Sequence, residues 1–221
     1  YKKDLNSFKK RLYWHCHFIQ KLETEPELEF CSMHPMSDEL RQDANNELIE
    51  KWILGETGFP FLDACIQYLR KGGWINFRMR AMIMSFASYN LWQPWQKTSP
   101  LLAELFVDYE PGIHICQVQM QSGVTGINLP RIYSVIKQSK DQDPDTSWIK
   151  AQIPRISNIC VDKIHNAELG DLYFEKLVDP VLSAKKARET IWASRSNIEF
   201  KKIAKDVYFK HGSRKRQNAR F

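Results

Sequence analysis

The sequence predicts an all-α fold, and three observations carry the prediction. Apolar residues recur at three- and four-residue intervals through most of the chain. Glycine and proline stand where such runs stop or start. Strict alternation is confined to Val118 to Gln121, too short to weigh as a strand. The 221 residues suffice for one domain with a sizeable core, so a single multi-helical domain with long loops follows.

The first helix starts near Asp4, a capping residue, and places Leu5, Phe8, Leu12, Cys16 and Ile19 on one face. Lys10, Arg11 and Trp14 fall on the opposite face. Pro26 ends it. A short helix runs from Asn46 to Trp52 and closes at Gly55. Another opens at Pro60, with Phe61, Leu62, Cys65, Ile66 and Leu69 on one side, and stops at Gly72 and Gly73. Trp74 to Leu91 reads as an unusually apolar helix buried on most sides. Ser99 and Pro100 read as a cap and first-turn proline for a helix through Leu101, Leu102, Leu105 and Phe106. Glycine and proline then punctuate residues 111 to 130, which read as a loop long enough to be a functional suspect. Asp145 and Ser183 are further cap candidates.

Composition narrows the class. With 43% hydrophobic and 26% charged residues, a soluble globular chain is expected. No apolar run approaches the roughly 20 residues of a membrane span. The first residue is Tyr1 rather than Met, and no leader pattern follows, which reads as part of a longer protein. Five dispersed cysteines without a CxxC pair argue against a disulfide framework and a structural zinc site. Reduced thiols suit a cytoplasmic location, or a nuclear one in a eukaryotic source. The net charge of +6 resides at the end: Lys201 to Phe221 holds eight Lys or Arg and one Asp. Residues 1–200 therefore read as the helical domain and 201–221 as a basic tail. That tail is either a phosphate-contacting arm or import signal, or a solvated end.

Several residue groups could carry chemistry. Arg78 and Arg80 point roughly 200° apart on a helix. If that helix is buried, one or both must meet an anion or a carboxylate, Asp63 or Asp108 being candidates. Asp108 and Glu110, followed by Pro111 and Gly112, could bind a metal, act as acid and base, or accept hydrogen bonds from a ring N–H. Spacing alone leaves these open. His15, Cys16 and His17 diverge by about 100° per step and cannot converge on one ion, so no metal is expected. Cys16 is expected in the core. Seven tryptophans, Trp92 and Trp95 among them, suit packing, base stacking or electron hopping.

Longer motifs then add a resemblance. The segments Thr57-Gly58-Phe59-Pro60-Phe61-Leu62-Asp63-Ala64 and Gly73-Trp74-Ile75-Asn76-Phe77-Arg78-Met79-Arg80 resemble the flavin-domain signature of photolyases and cryptochromes. Asp108-Tyr109-Glu110-Pro111, Arg131-Ile132-Tyr133, and Asp143-Pro144-Asp145 with Trp148 follow at suitable distances. The resemblance runs from about Leu5 to Arg188. It implies an FAD-binding domain of a DNA photolyase-like flavoprotein, with FAD as cofactor and pyrimidine-dimer DNA as partner. The reaction implied is blue-light-driven dimer repair, the work of a deoxyribodipyrimidine photolyase. The alternatives are a cryptochrome-like photoreceptor or redox flavoprotein without repair, and a flavin-free helical module binding nucleic acid or a partner through its tail.

Position by position, the resemblance pairs Arg80 with Asp108 beside the isoalloxazine ring. It assigns Glu110 to the ring N3–H, His114 to the place facing flavin N5, and Asn76 to the cofactor. Trp14 would stack on a dimer base, with Arg11, His15, Phe77, Arg78 and Met120 also on the DNA side. Trp95 matches the middle tryptophan of an electron-transfer triad. Four departures follow from the same comparison. Arg11 stands where photolyases place a glutamate, Phe77 replaces a polar residue, and Val118 occupies the flavin-proximal tryptophan position. The family's phosphate-holding segment and antenna domain lie upstream of this chain.

Overall fold

The structure, a computed structural model, describes residues 1–212. Eleven α-helices with short 3₁₀ turns make up these residues, and no strand occurs among them. The helices are α1 (Lys2–Thr24), α2 (Asn46–Leu54), α3 (Pro60–Gly72), α4 (Phe77–Ser85), α5 (Trp95–Ala103) and α6 (Pro111–Ser122). Then come α7 (Val135–Gln142), α8 (Ser147–Gln152), α9 (Val161–Asn166), α10 (Pro180–Ser196) and α11 (Ile198–His211). No helix is long and apolar enough to cross a membrane among the described residues.

The main core lies between α3 and α4, covered by α5 to α9. Leu62, Ile66, Met82, Ile83 and Phe86 are almost fully enclosed there. Burying side chains of this size contributes about 1.5–3 kcal/mol each before entropy is counted. A second anchor is polar. The Asp63 carboxylate is fully buried and accepts from Thr57 N–H, Thr57 Oγ1, Gly58 N–H and Tyr173 Oη at 2.6–3.1 Å. Burial pushes its pKa up to about 6, against the pull of those donors. Asp63 thus clamps the turn before α3 to the segment before α10, and it is no partner for Arg80.

The segment 111–122, expected to be loop, is a helix. Glu110 caps it, accepting from Gly112 N–H at 3.2 Å and Ile113 N–H at 2.7 Å. Pro111 occupies the first turn, where its missing N–H costs nothing. Gly123, at φ +72°, ends it in the left-handed region. Glycine and proline here mark the two ends of a helix rather than a break. The short alternation at Val118 to Gln121 lies inside it.

Other boundaries shift for local reasons. Lys2–Thr24 is helical from its start, so Asp4 lies inside α1 and not at a cap. Asn76, not Trp74, opens α4, with its side chain accepting from Met79 N–H at 3.2 Å. That helix widens into one π-helical turn over Phe86–Asn90 before ending near Leu91. Helix α5 begins at Trp95, so Pro100 lies inside it and Ser99 is no cap. Ser183 is likewise interior; Asp179 caps α10, accepting from Val181 and Leu182 N–H at 2.8 Å. At α8 the cap position is Thr146, not Asp145; Asp145 accepts from Ser147 N–H at 3.1 Å, and Asp143 accepts from Trp148 and Ile149 N–H at 3.2 and 2.8 Å.

Helix α1 is amphipathic as expected, but its apolar face is not core along its whole length. Leu5, Phe8 and Leu12 are half or more exposed, and Cys16 is exposed as well. Only the C-terminal half lies on α6, through Phe18 and Ile19. Gly112 makes that contact possible: a Cβ there would stand 2.6 Å from Ile19 Cα.

Two stability outcomes follow. Gly112→Ala forces α1 away from α6 and should cost about 1–3 kcal/mol, read from urea unfolding. Asp63→Ala leaves buried N–H and O–H donors without an acceptor and should cost at least about 3 kcal/mol, in the same assay.

Candidate functional site

A cavity of about 160 Å³ opens between α4, α5, α6 and the connection before α6. Its walls are largely apolar: Phe77, Met84, Leu102, Phe106 and Val118. At one end stand Arg80 and Asp108. The Arg80 guanidinium donates to Asp108 Oδ2 at 3.0 Å and to the Ile75 carbonyl at 2.6 Å. It lies 4.2 Å over the Phe106 ring. Of the two arginines, Arg80 turns inward to a carboxylate, while Arg78, in the first turn of α4, faces solvent.

Helix α6 supplies the polar wall. His114, Gln117, Val118 and Gln121 follow one another at helical spacing and all line the cavity. His114 Nε2 lies 3.1 Å from the Ser99 carbonyl and 3.0 Å from Ser99 Oγ. The carbonyl accepts, so Nε2 carries the proton, and in the neutral ring Nδ1 is then an acceptor. Burial, followed by the nearby Arg80 charge, holds His114 below the ordinary histidine range; the Ser99 carbonyl opposes this. Gln117 and Gln121 each hold a buried amide oxygen with no hydrogen-bond partner. Two unsatisfied acceptors at one cavity are costly unless a donor-bearing ligand meets them.

Sequence reasoning brought Arg80, Asp108, Glu110 and His114 together at the ring, and they line this cavity; Phe77, expected on the DNA side, lines it as well. It missed Gln117 and Gln121. Their signal was the 114–117–121 spacing, hidden because the segment read as loop. Glu110 borders the cavity, but both its carboxylate oxygens cap α6. Asn76 is not in the lining; it caps α4.

Apart from Phe77, the residues expected on the DNA side do not line the cavity. Arg11, Trp14 and His15 lie on exposed parts of α1, where Trp14 packs on His17 and Phe18 at 5.5 and 5.6 Å between ring centroids. Met120 lies outside the lining too. Trp95 is buried in the core, its indole N–H donating to Ser32 Oγ at 2.9 Å. It borders a separate opening that shares His114 with the first. Val118, at the place of a flavin-proximal tryptophan, is a buried cavity wall.

The cavity thus combines apolar walls with a cation–carboxylate pair at one end and a polar stripe along α6. The chain belongs to the photolyase/cryptochrome family, since the family described as the FAD binding domain of DNA photolyase matches residues 8–195. The family's cofactor is FAD.

The chain is 27% identical over 161 residues to a deoxyribodipyrimidine photolyase of Alkalihalophilus pseudofirmus, covering 72% of this chain and 34% of the relative. It is 26% identical over 194 residues to cryptochrome-1 of Rattus norvegicus, covering 86% and 33%. An archaeal photolyase structure from Sulfolobus tokodaii, with two FAD molecules, superposes with a TM-score of 0.79 at 23% identity, over 85% of this chain and 44% of that one. The chain thus spans about a third of the length of the curated relatives it matches.

His114 contributes a pH signature. Its depressed pKa means the folded chain holds this proton less readily than the unfolded one. Its share of stability is therefore full above about pH 6.5 and is lost as pH falls below that. The unfolding free energy should drop between pH 7.5 and pH 5, and His114→Gln should drop less over the same interval, as followed by urea melts at both pH values.

Proposed function

We propose that the cavity receives the isoalloxazine ring of FAD and that the domain serves light-driven repair of pyrimidine dimers in DNA. The observation that carries the cofactor placement is the apolar cavity with Arg80 at one end and, among its lining residues, Gln117 and Gln121, whose amide oxygens are buried without partners. Bound FAD supplies an electron donor that blue light excites.

The protein's own residues prepare the site. Arg80 sets a fixed positive charge at the cavity end, held by Asp108, Ile75 and the Phe106 ring. Gln117 and Gln121 orient the ring by accepting from its N–H edge. His114, kept neutral by burial, presents an uncharged acceptor rather than a second cation. Phe106, Leu102 and Met84 exclude water, which strengthens each polar contact inside. Glu110 acts one step removed by holding the α6 terminus, and so the placement of His114 and both glutamines. Phe77 at the exposed rim, with Arg78 beside it, offers the DNA approach.

A cryptochrome-like or redox flavoprotein without repair is the second reading. It is favoured by Arg11 at a position where photolyases have a glutamate, and by Val118 where an aromatic relay residue is expected.

The test is direct. The purified protein, supplied with FAD, should show flavin absorbance that survives desalting. Gln121→Leu should weaken FAD binding roughly tenfold and Arg80→Ala by more. Retention of FAD by Arg80→Ala would overturn the cavity assignment. Loss of dimers from irradiated oligonucleotide under blue light and reductant supports repair. Bound flavin with no dimer loss, in single- or double-stranded substrate, supports the second reading.

A further inference from the structure

Helix α11 lies beyond the family match, which ends at residue 195. It is nevertheless firmly docked. Phe200 stacks on His34 with ring centroids 3.6 Å apart, and His34 Nε2 donates to the Phe200 carbonyl at 3.0 Å. Val207 packs with Leu28 and Met33. At the far end Lys210 pairs with Glu25 at 2.7 Å, and His211 meets the other oxygen of the same carboxylate.

This docking leaves an open groove of about 530 Å³ between α11, the end of α10 and the loop at Gly126 and Ile127. Phe200 and Ala204 form its floor. Arg195, Lys201 and Lys205 flank it, and Tyr208 and Phe209 stand at its end. Tyr208 is 56% exposed and Phe209 75%. None of the three cations forms an ion pair among the described residues. Arg195 Nη1 is buried with no hydrogen-bond partner. A guanidinium nitrogen stripped of water and without an acceptor calls for an anionic ligand.

We propose that this groove binds single-stranded nucleic acid, separately from the flavin cavity. Lys201 and Lys205 lie one helical turn apart and meet successive phosphates; Arg195 adds a third positive charge to the groove. Tyr208 and Phe209 offer exposed ring faces on which unpaired bases stack. A duplex keeps its bases stacked on one another and cannot use those faces. In sequence, α11 is followed by Ser213-Arg214-Lys215-Arg216, which adds three positive charges.

The test uses the full chain and a fluorescein-labelled, undamaged oligothymidylate of about twelve nucleotides, followed by anisotropy. Binding is expected, weakening as salt rises. The double variant Lys201→Glu/Lys205→Glu should bind roughly tenfold or more weakly. Tyr208→Ala should bind roughly tenfold more weakly. All three side chains are exposed, so helical circular dichroism should be unchanged. Lys163→Glu, the same charge change on α9, should leave the affinity as it was. Wild-type affinity in the double variant or in Tyr208→Ala overturns the proposal. So does equal affinity for a duplex of the same length, or displacement by polyglutamate as effective as by unlabelled oligothymidylate.

Discussion

The placement of α6 is the constraint on which the rest of the structure depends. Its N-terminus is held by the Glu110 carboxylate, and Gly112 in its first turn admits the backbone of α1 at close range. Further along, Cys116 Sγ donates to the Phe18 carbonyl at 3.6 Å. Gln119 accepts from Met33 N–H at 2.7 Å and donates to the carbonyls of Leu28 and Cys31. One face of the helix thus carries α1 and the segment after it. The opposite face carries His114, Gln117, Val118 and Gln121 into the cavity. A carboxylate that looks like a ligand-binding group in sequence therefore holds the end of the helix that walls the cavity.

The cavity and the core make opposite demands on polar groups. In the core, Asp63 meets four donors, and its burial is offset by their hydrogen bonds. In the cavity, two amide oxygens lie buried without partners, and Arg80 is held at a lined surface rather than enclosed. A folded chain keeps such unsatisfied groups where a ligand completes them. The same logic applies at Arg195, on the other side of the molecule, where a guanidinium nitrogen is again buried without an acceptor. The two places differ in shape. One is a cavity walled by α4, α5 and α6, the other an open groove with exposed aromatic faces.

Family membership fixes FAD as the cofactor and leaves the outcome of its chemistry to individual side chains. Arg80 and Asp108 sit together as the flavin-domain motifs lead one to expect. Arg11, Trp14 and His15 stay on α1, away from the cavity lining, and Val118 closes a wall where an aromatic relay residue would stand. The fold supplies the slot and not the reaction.

The sequence by itself determined the helical class, the ends of α2 and α3 at Gly55 and Gly73, and the arginine and carboxylates beside the cavity. These depend on local propensity and on long ordered motifs, which need no knowledge of neighbours. It also held the 114–117–121 spacing, but glycine and proline at both ends of that helix made it read as loop. Only the tertiary structure decided three things: that Glu110 caps rather than reaches out, that the stripe of Leu5, Phe8 and Leu12 stays exposed, and that α11 folds back to frame a groove. The physical reason is common to all three. Amphipathic spacing and charge say which face of a helix is distinctive, whereas what covers that face depends on contacts between residues far apart in the chain.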